Sequence, residues 1–372
     1  RRTLRGLPRP TRRSVPVMIW LVPVGLYLLA LLIRVIAAEL IPFPTAEPSA
    51  YYVDVARNVL AGEGLVSHGV WSFATPPLEV PKPAFELWLP MSTFVSLVPM
   101  AVLGSSYGAA QLGSALLGAL VAPLTWAIAR EAARTHGLDR RRGRAVGIAS
   151  GILAAALSPL VLGAVVPDSY IPFTVFILLS ALLLPRALGV RDGVADGTAP
   201  SVLASLGLGV SMGLAYLSRQ EVIWFGLTVV FMTWWVVRAS PADTRLREGF
   251  ARLWPVVAGG LLVVVPWLLR NQAQLDSFFP GQAVENMFLI DNEDIFAFSQ
   301  RPSAAAYLDQ GLATVLLNPL VAVADSFLSV LAFTAFPIGI VGLIALVGLR
   351  RSPALRRPTA LVAPLTWAIA RE

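Results

Sequence analysis

Apolar positions in this chain run on for lengths that a soluble fold does not need. Candidate spans fall at roughly 17–37, 108–129, 145–166, 170–187, 202–218, 222–238, 254–270 and 325–349. Runs of about 17–25 apolar residues are what a helix needs to cross a hydrocarbon core of about 30 Å. A further apolar helix lies at roughly 85–103. The predicted fold class is therefore all-α, a polytopic transmembrane helix bundle of about eight or nine spans with outer juxtamembrane helices.

The polar intervals set the orientation. Arginine gathers at Arg1–Arg13, Arg130–Arg144, Arg186–Arg191, Arg238–Arg252 and Arg350–Arg357, and basic clusters next to spans stay on the cytoplasmic side. The intervals 40–84 and 271–324 carry few basic residues and fall outside. If both 85–103 and 108–129 crossed, Arg130–Arg144 would land on the wrong side. Segment 85–103, with Pro83, Pro90 and Pro99 in or beside it, is therefore expected to dip into the outer leaflet. This divides the chain into a basic cytoplasmic N-terminus (1–16), a membrane module (17–349) and a cytoplasmic end (350–372). Leu361–Glu372 repeats Leu120–Glu131 letter for letter; it reads as a recombination product and carries no functional weight.

Two outer segments are more than connectors. Ala50–Leu60 reads as a helix stopped at Ala61-Gly62, with Tyr52, Val55, Val59 and Leu60 on one face, expected to lie flat on the interface. The second segment is acidic at Asp291, Glu293 and Asp294 and then amphipathic over Ala304–Ala322.

Composition narrows the class. Hydrophobic residues make up 56% and charged ones 14%, against about a quarter charged in a soluble domain. The net charge of +7 lies in clusters between spans, as for loops that meet anionic headgroups, so nucleic acid is not the expected partner. Cysteine is absent, which removes disulfides and thiolate metal sites. The basic start before the first span reads as an uncleaved anchor. His68 and His136 are too few for a histidine metal cage, and no phosphate loop, dinucleotide fingerprint or nucleophile-elbow serine occurs.

Candidate chemistry collects on the outer side. Glu47, Tyr51, Tyr52 and Asp54 follow the first span, and read either as a site or as a solvated loop with an interface anchor. Lys82 is the only lysine among 29 basic residues and sits between Pro81 and Pro83. That isolation suggests a place wanting a compact ammonium, with snorkelling as the plain alternative. Asp168 and Tyr170 lie in the hairpin between two spans, where an acid can also cap the next helix. Arg219 and Arg270 stand at predicted outer ends, where a cation needs a facing carboxylate or an anionic ligand, and Glu221 offers Arg219 the first.

These residues resemble membrane glycosyltransferases of the GT-C type, in particular the protein O-mannosyltransferase and lipid A aminoarabinose transferase group. The likeness runs over roughly 17–345 on short motifs. An acid and a tyrosine lead to a small-residue–glycine stop (Glu47, Tyr51, Ala61-Gly62), followed by Lys82-Pro83 with Pro76-Pro77 nearby. Gly104 then precedes Gln111, Asp168 lies in the next outer hairpin, and Pro266-Trp267 leads to Arg270-Asn271. The chain departs from the group in having Glu47 for the usual Asp and Gln111 for the usual Arg. The resemblance implies transfer of a sugar from a polyprenyl-phosphate donor to a glycan, lipid or protein acceptor on the extracytoplasmic side of a cell membrane. Glu47 or Asp168 would be the general base; Lys82, Arg270 and Arg219 would hold the donor phosphate. Tyr51, Tyr52, Asp54, Gln111 and Tyr170 would line the substrate site. Some relatives outside this group use a divalent metal, and Glu47 with Asp168 could hold one, Mg or Mn. The alternatives are a transporter or lipid flippase, disfavoured by span interiors nearly free of charge (Arg34 and Asp325 near ends), and a catalytically degenerate relative.

Overall fold

A computed structural model describes residues 18–335 apart from 45–46, 70–78, 192–193, 196–199, 239, 281–284, 292–293 and 295–300. Arg1–Arg13, Pro76-Pro77, Glu293, Arg350–Arg357 and the repeat at 361–372 lie outside the described residues. Among the described residues, strands are limited to two short antiparallel pairs. Everything else of regular structure is helical.

The helices are α1 (Met18–Glu39), α2 (Glu47–Leu60), α3 (Met91–Leu103), α4 (Tyr107–Gly118), α5 (Val121–Thr135), α6 (Arg140–Ala156) and α7 (Ser158–Val165). They continue with α8 (Tyr170–Leu188), α9 (Val202–Tyr216), α10 (Val222–Val237), α11 (Arg245–Leu275), α12 (Ala304–Leu308) and α13 (Leu312–Ala335). Strand β1 (Val66–Ser67) pairs with β2 (Lys82–Pro83), and β3 (Val190–Arg191) with β4 (Val194–Ala195). Among the described residues, five helical stretches are long and apolar enough to cross a membrane, six if the bent pair α6–α7 counts as one. Residues such as Leu21, Leu32, Ile36 and Leu262 point outward from them, and Leu203 and Leu227 do so from the shorter α9 and α10, as side chains bathed in lipid do. The molecule is a multi-pass membrane bundle.

The sequence reading located α1 and α8 within a few residues; two of its spans, 202–218 and 222–238, correspond to the shorter helices α9 and α10, and others differ where a helix breaks. The span at 108–129 is one continuous candidate crossing over Tyr107–Thr135, within which α4 and α5 meet at Ala119-Leu120. The span at 145–166 bends by 50° between α6 and α7. Pro159 explains that bend: it has no N–H for the Ala155 carbonyl, so the helical ladder loses a rung there. Arg34 of α1, expected near a span end, is instead fully buried. Its guanidinium donates to Ala155 O at 3.2 Å, to Leu160 O at 3.3 Å and to Ala30 O at 3.0 Å. The side chain thus replaces the missing amide and ties α1 to the break. The last described span begins at Leu312, not near 325, and absorbs half of the amphipathic run expected at 304–322.

Helix α2 also departs from expectation. Tyr51, Tyr52, Val53, Val55 and Ala56 are all buried, so α2 packs into the bundle and does not float on the interface. Two adjacent tyrosines need cover on more than one helix face, which α3 and the loop before it provide. Helix α3 begins where the Met91 amide donates to Leu217 O (3.0 Å) and ends where Arg57 donates to Ser105 O (3.0 Å). Both anchors belong to the end of the bundle that holds α2. At 13 residues α3 falls short of a full crossing, as do α9 and α10 at 15 and 16 residues.

The tightest packing is between α9 and α11. A Cβ placed on Gly209 would lie 1.9 Å from Val256 O, and one on Gly259 would lie 2.3 Å from Leu206 O. Glycine is required at both positions for the backbones to approach, the usual way that membrane helices associate. This contact fixes the ends of α9 and α11, and hence Arg219 and Arg270, relative to each other.

Candidate active site

One end of the bundle collects nearly every residue singled out by chemistry. Gln111, buried in α4, donates its amide hydrogens to Ile41 O and Val165 O, each at 2.8 Å. It therefore knits the segment after α1 to the end of α7 and positions the rim. Arg270 donates to Leu65 O at 3.3 Å, joining α11 to the β1 segment. The opposite end carries the arginine clusters, where Arg252 donates to Leu188 O at 3.1 Å and Ser201 N to Arg186 O at 3.1 Å.

Two charged groups flank the Tyr51–Tyr52 pair, whose rings meet edge to face at 5.9 Å. The first surrounds Tyr51. Its hydroxyl accepts the Phe85 amide proton at 2.6 Å, and its ring packs on Phe85 and Trp88. Lys82 lies beyond Phe85, held by the β1–β2 pair, with its Nζ 2.6 Å from Glu86 Oε2. Burial raises the Tyr51 phenol well above its ordinary pKa, while the Phe85 amide and the Arg270 charge pull the other way. Arg270 lies over the Trp267 ring at 5.0 Å and donates to Asn271 Oδ1 at 3.3 Å. Among the described residues no carboxylate lies within ion-pair distance of it.

The second group surrounds Tyr52. Asp168 Oδ1 accepts the Ser169 hydroxyl at 2.9 Å as well as the Ser169 amide. Ser169 is the N-cap residue of α8, yet its side chain makes no capping bond and Asp168 reaches only Ser169, so simple helix capping does not describe the acid. Burial pushes the Asp168 carboxyl above its ordinary range, with the Ser169 donors and Arg219 opposing. The Tyr52 phenol is raised by burial and further by the Asp168 charge. Arg219 pairs with Glu221, donates to Ser169 Oγ at 3.3 Å and lies 4.6 Å from the centre of the Tyr170 ring. Burial alone would lower Arg219, but Glu221 and Tyr170 together outweigh it and the net shift is upward.

Glu47 and Asp54 belong to α2 as well. Glu47 is the first residue of α2, and its side chain lies outside the described ones. Asp54 accepts from Asn58 Nδ2 at 3.5 Å and faces a separate cavity of about 380 Å³ that also touches Arg57 and His68. Among the described residues no three His, Asp or Glu side chains converge as a metal cage would require.

A groove of about 650 Å³ runs between α9, α10 and α11, from Leu253 up to the rim, where Glu86, Gln220, Asn271 and Phe279 close it. Its walls are aliphatic, including Met212, Ile223, Val230 and Val257. Sequence reasoning missed Glu86, which faces this groove and holds Lys82. The four-residue spacing from Lys82 was its only signal, and outside a helix that spacing carries no geometric meaning. No family model matches the chain, and neither a curated protein nor a solved structure does.

Proposed function

We propose that this chain is a glycosyltransferase of the GT-C type, with roughly eight crossings, that moves a sugar from a polyprenyl-phosphate donor to an acceptor on the extracytoplasmic side. The observation that carries the reading is the aliphatic groove whose polar rim includes Glu86, the ion-pair partner of Lys82, and Asn271, which accepts from Arg270. A long prenyl chain fits such a groove, and its phosphate would then stand at the rim beside Lys82 and Arg270. Asp168 takes the proton of the acceptor hydroxyl; the oxygen attacks the anomeric carbon, and the sugar–phosphate bond breaks. Negative charge grows on the departing lipid phosphate, where fixed cations stabilise it most. A carboxylate raised by burial is a stronger base than an exposed one. Glu47 stands as the second candidate for that role.

The test is transfer of labelled sugar from a panel of polyprenyl-phosphate sugars by purified protein. Asp168→Asn should reduce transfer by about 10²–10⁴-fold at unchanged membrane abundance. Transfer by Asp168→Asn at the wild-type rate removes the acid from its role. A lipid translocator is the second reading, favoured by the depth of the groove from Leu253 to the rim. Movement of lipid between leaflets in proteoliposomes, with no sugar transfer from any donor, selects it instead.

A further inference from the structure

Lys82 and Glu86 are held together by more than their mutual attraction. Phe85, the residue before Glu86, has φ +72°, a left-handed conformation that a bulky side chain avoids unless its surroundings impose it. Those surroundings are explicit. The Tyr51 hydroxyl accepts the Phe85 amide at 2.6 Å, Leu65 O accepts the Ala84 amide at 2.9 Å, and the Phe85 ring packs edge-on against Trp267 at 5.5 Å. The turn brings the Glu86 carboxylate onto the ammonium at 2.6 Å, with the two side chains 14% (Lys82) and 21% (Glu86) exposed. The pair is thus largely withdrawn from water, where ionic contacts act more strongly than on a surface.

Glu86 also lines the polar end of the aliphatic groove, beside Asn271. An anion arriving there with its chain in the groove meets this carboxylate first, and like charges at contact repel. Either the place rejects anions or the carboxylate gives way. Arg270, next to Asn271 and without a carboxylate partner among the described residues, leaves an excess of positive charge that favours the second. We propose that Glu86 is the resident counter-ion of an anion site: it occupies the Lys82 ammonium while the groove is empty, and the phosphate of an incoming lipid displaces it. The inference rests on the donor reading above and adds a selection step to it. A lipid alcohol of the same chain cannot displace the carboxylate and leaves the Lys82–Glu86 pair closed, so the ion pair discriminates phosphorylated from unphosphorylated lipid. No bond is made or broken; only ionic partners exchange.

The full chain in neutral phosphatidylcholine nanodiscs is titrated with a polyprenyl phosphate, the matching polyprenol and inorganic phosphate. Wild type should bind the lipid phosphate in preference to the alcohol. Glu86→Gln should bind the lipid phosphate about tenfold more tightly, because the competing charge is gone, and Lys82→Met should bind it more weakly. Glu86→Asp, which keeps the charge but shortens its reach, should change in the same direction as Glu86→Gln and by less. A purely structural role for Glu86 predicts the opposite sign, weaker binding from every change at this position. Wild-type binding with Glu86→Gln and Glu86→Asp equal or weaker overturns the counter-ion role and leaves the donor reading standing. No binding of lipid phosphate by wild type overturns both. Tightening by Glu86→Gln seen equally with inorganic phosphate supports the counter-ion and shows that the groove adds nothing to recognition.

Discussion

Arg34 and Asp168 both leave water, and their chemistry differs because their partners do. Arg34 binds three backbone carbonyls and no carboxylate among the described residues, at a helix break created by Pro159. Hydrogen bonds from a charged group are worth about 1.5–3 kcal/mol each, so Arg34→Met should destabilise the α6–α7 bend. The expected outcome is a loss of monodisperse protein in detergent or a lower unfolding midpoint. Recovery and midpoint equal to wild type would show that the bend holds itself. Asp168, in contrast, accepts from Ser169 alone among the described residues and is raised by burial. The sign follows directly: a base with a raised pKa loses its working form at a higher pH than an exposed carboxylate when the solution is acidified. The acid limb of the transfer rate should therefore lie above the ordinary carboxylate range, and a limb at or below that range would contradict the burial argument.

At the scale of elements, the apolar helices were legible because apolar runs report lipid directly. The breaks were not. Pro159 is visible in the sequence, but its consequence depends on Arg34, far away in the chain. The face of α2 was misread because Tyr51 and Tyr52 look like interface anchors until the Phe85–Trp88 loop is folded over them. Glu86 was invisible for the same reason: only the turn at Phe85 turns a sequence neighbour into an ion-pair partner. The α9–α11 contact gives a direct check. Gly209→Leu should separate the helices and abolish recovery of folded protein, since even a methyl group there meets Val256 O. Gly226→Ala meets only Met212 Cε at 3.6 Å and should be tolerated. Equal recovery of the two variants would mean that the helices are not packed as described.

For the whole molecule, the account requires opposite ends to face opposite sides of the membrane. The chain has no cysteine, so single cysteines report sidedness without background. Leu138→Cys, in the turn between α5 and α6, should be protected from an impermeant maleimide added outside intact cells, and Ser303→Cys should be labelled. The reverse pattern would move the rim to the cytoplasmic side and remove an outer-leaflet donor. The central claim is that the groove and the rim form one lipid-phosphate site, and a photoactivatable polyprenyl phosphate tests it most directly. Label should concentrate in peptides carrying Ile223, Val230 and Val257, decline with unlabelled polyprenyl phosphate, and fall sharply in Lys82→Ala. Label spread evenly over outward-facing helices, indifferent to competitor and to Lys82, would contradict the account.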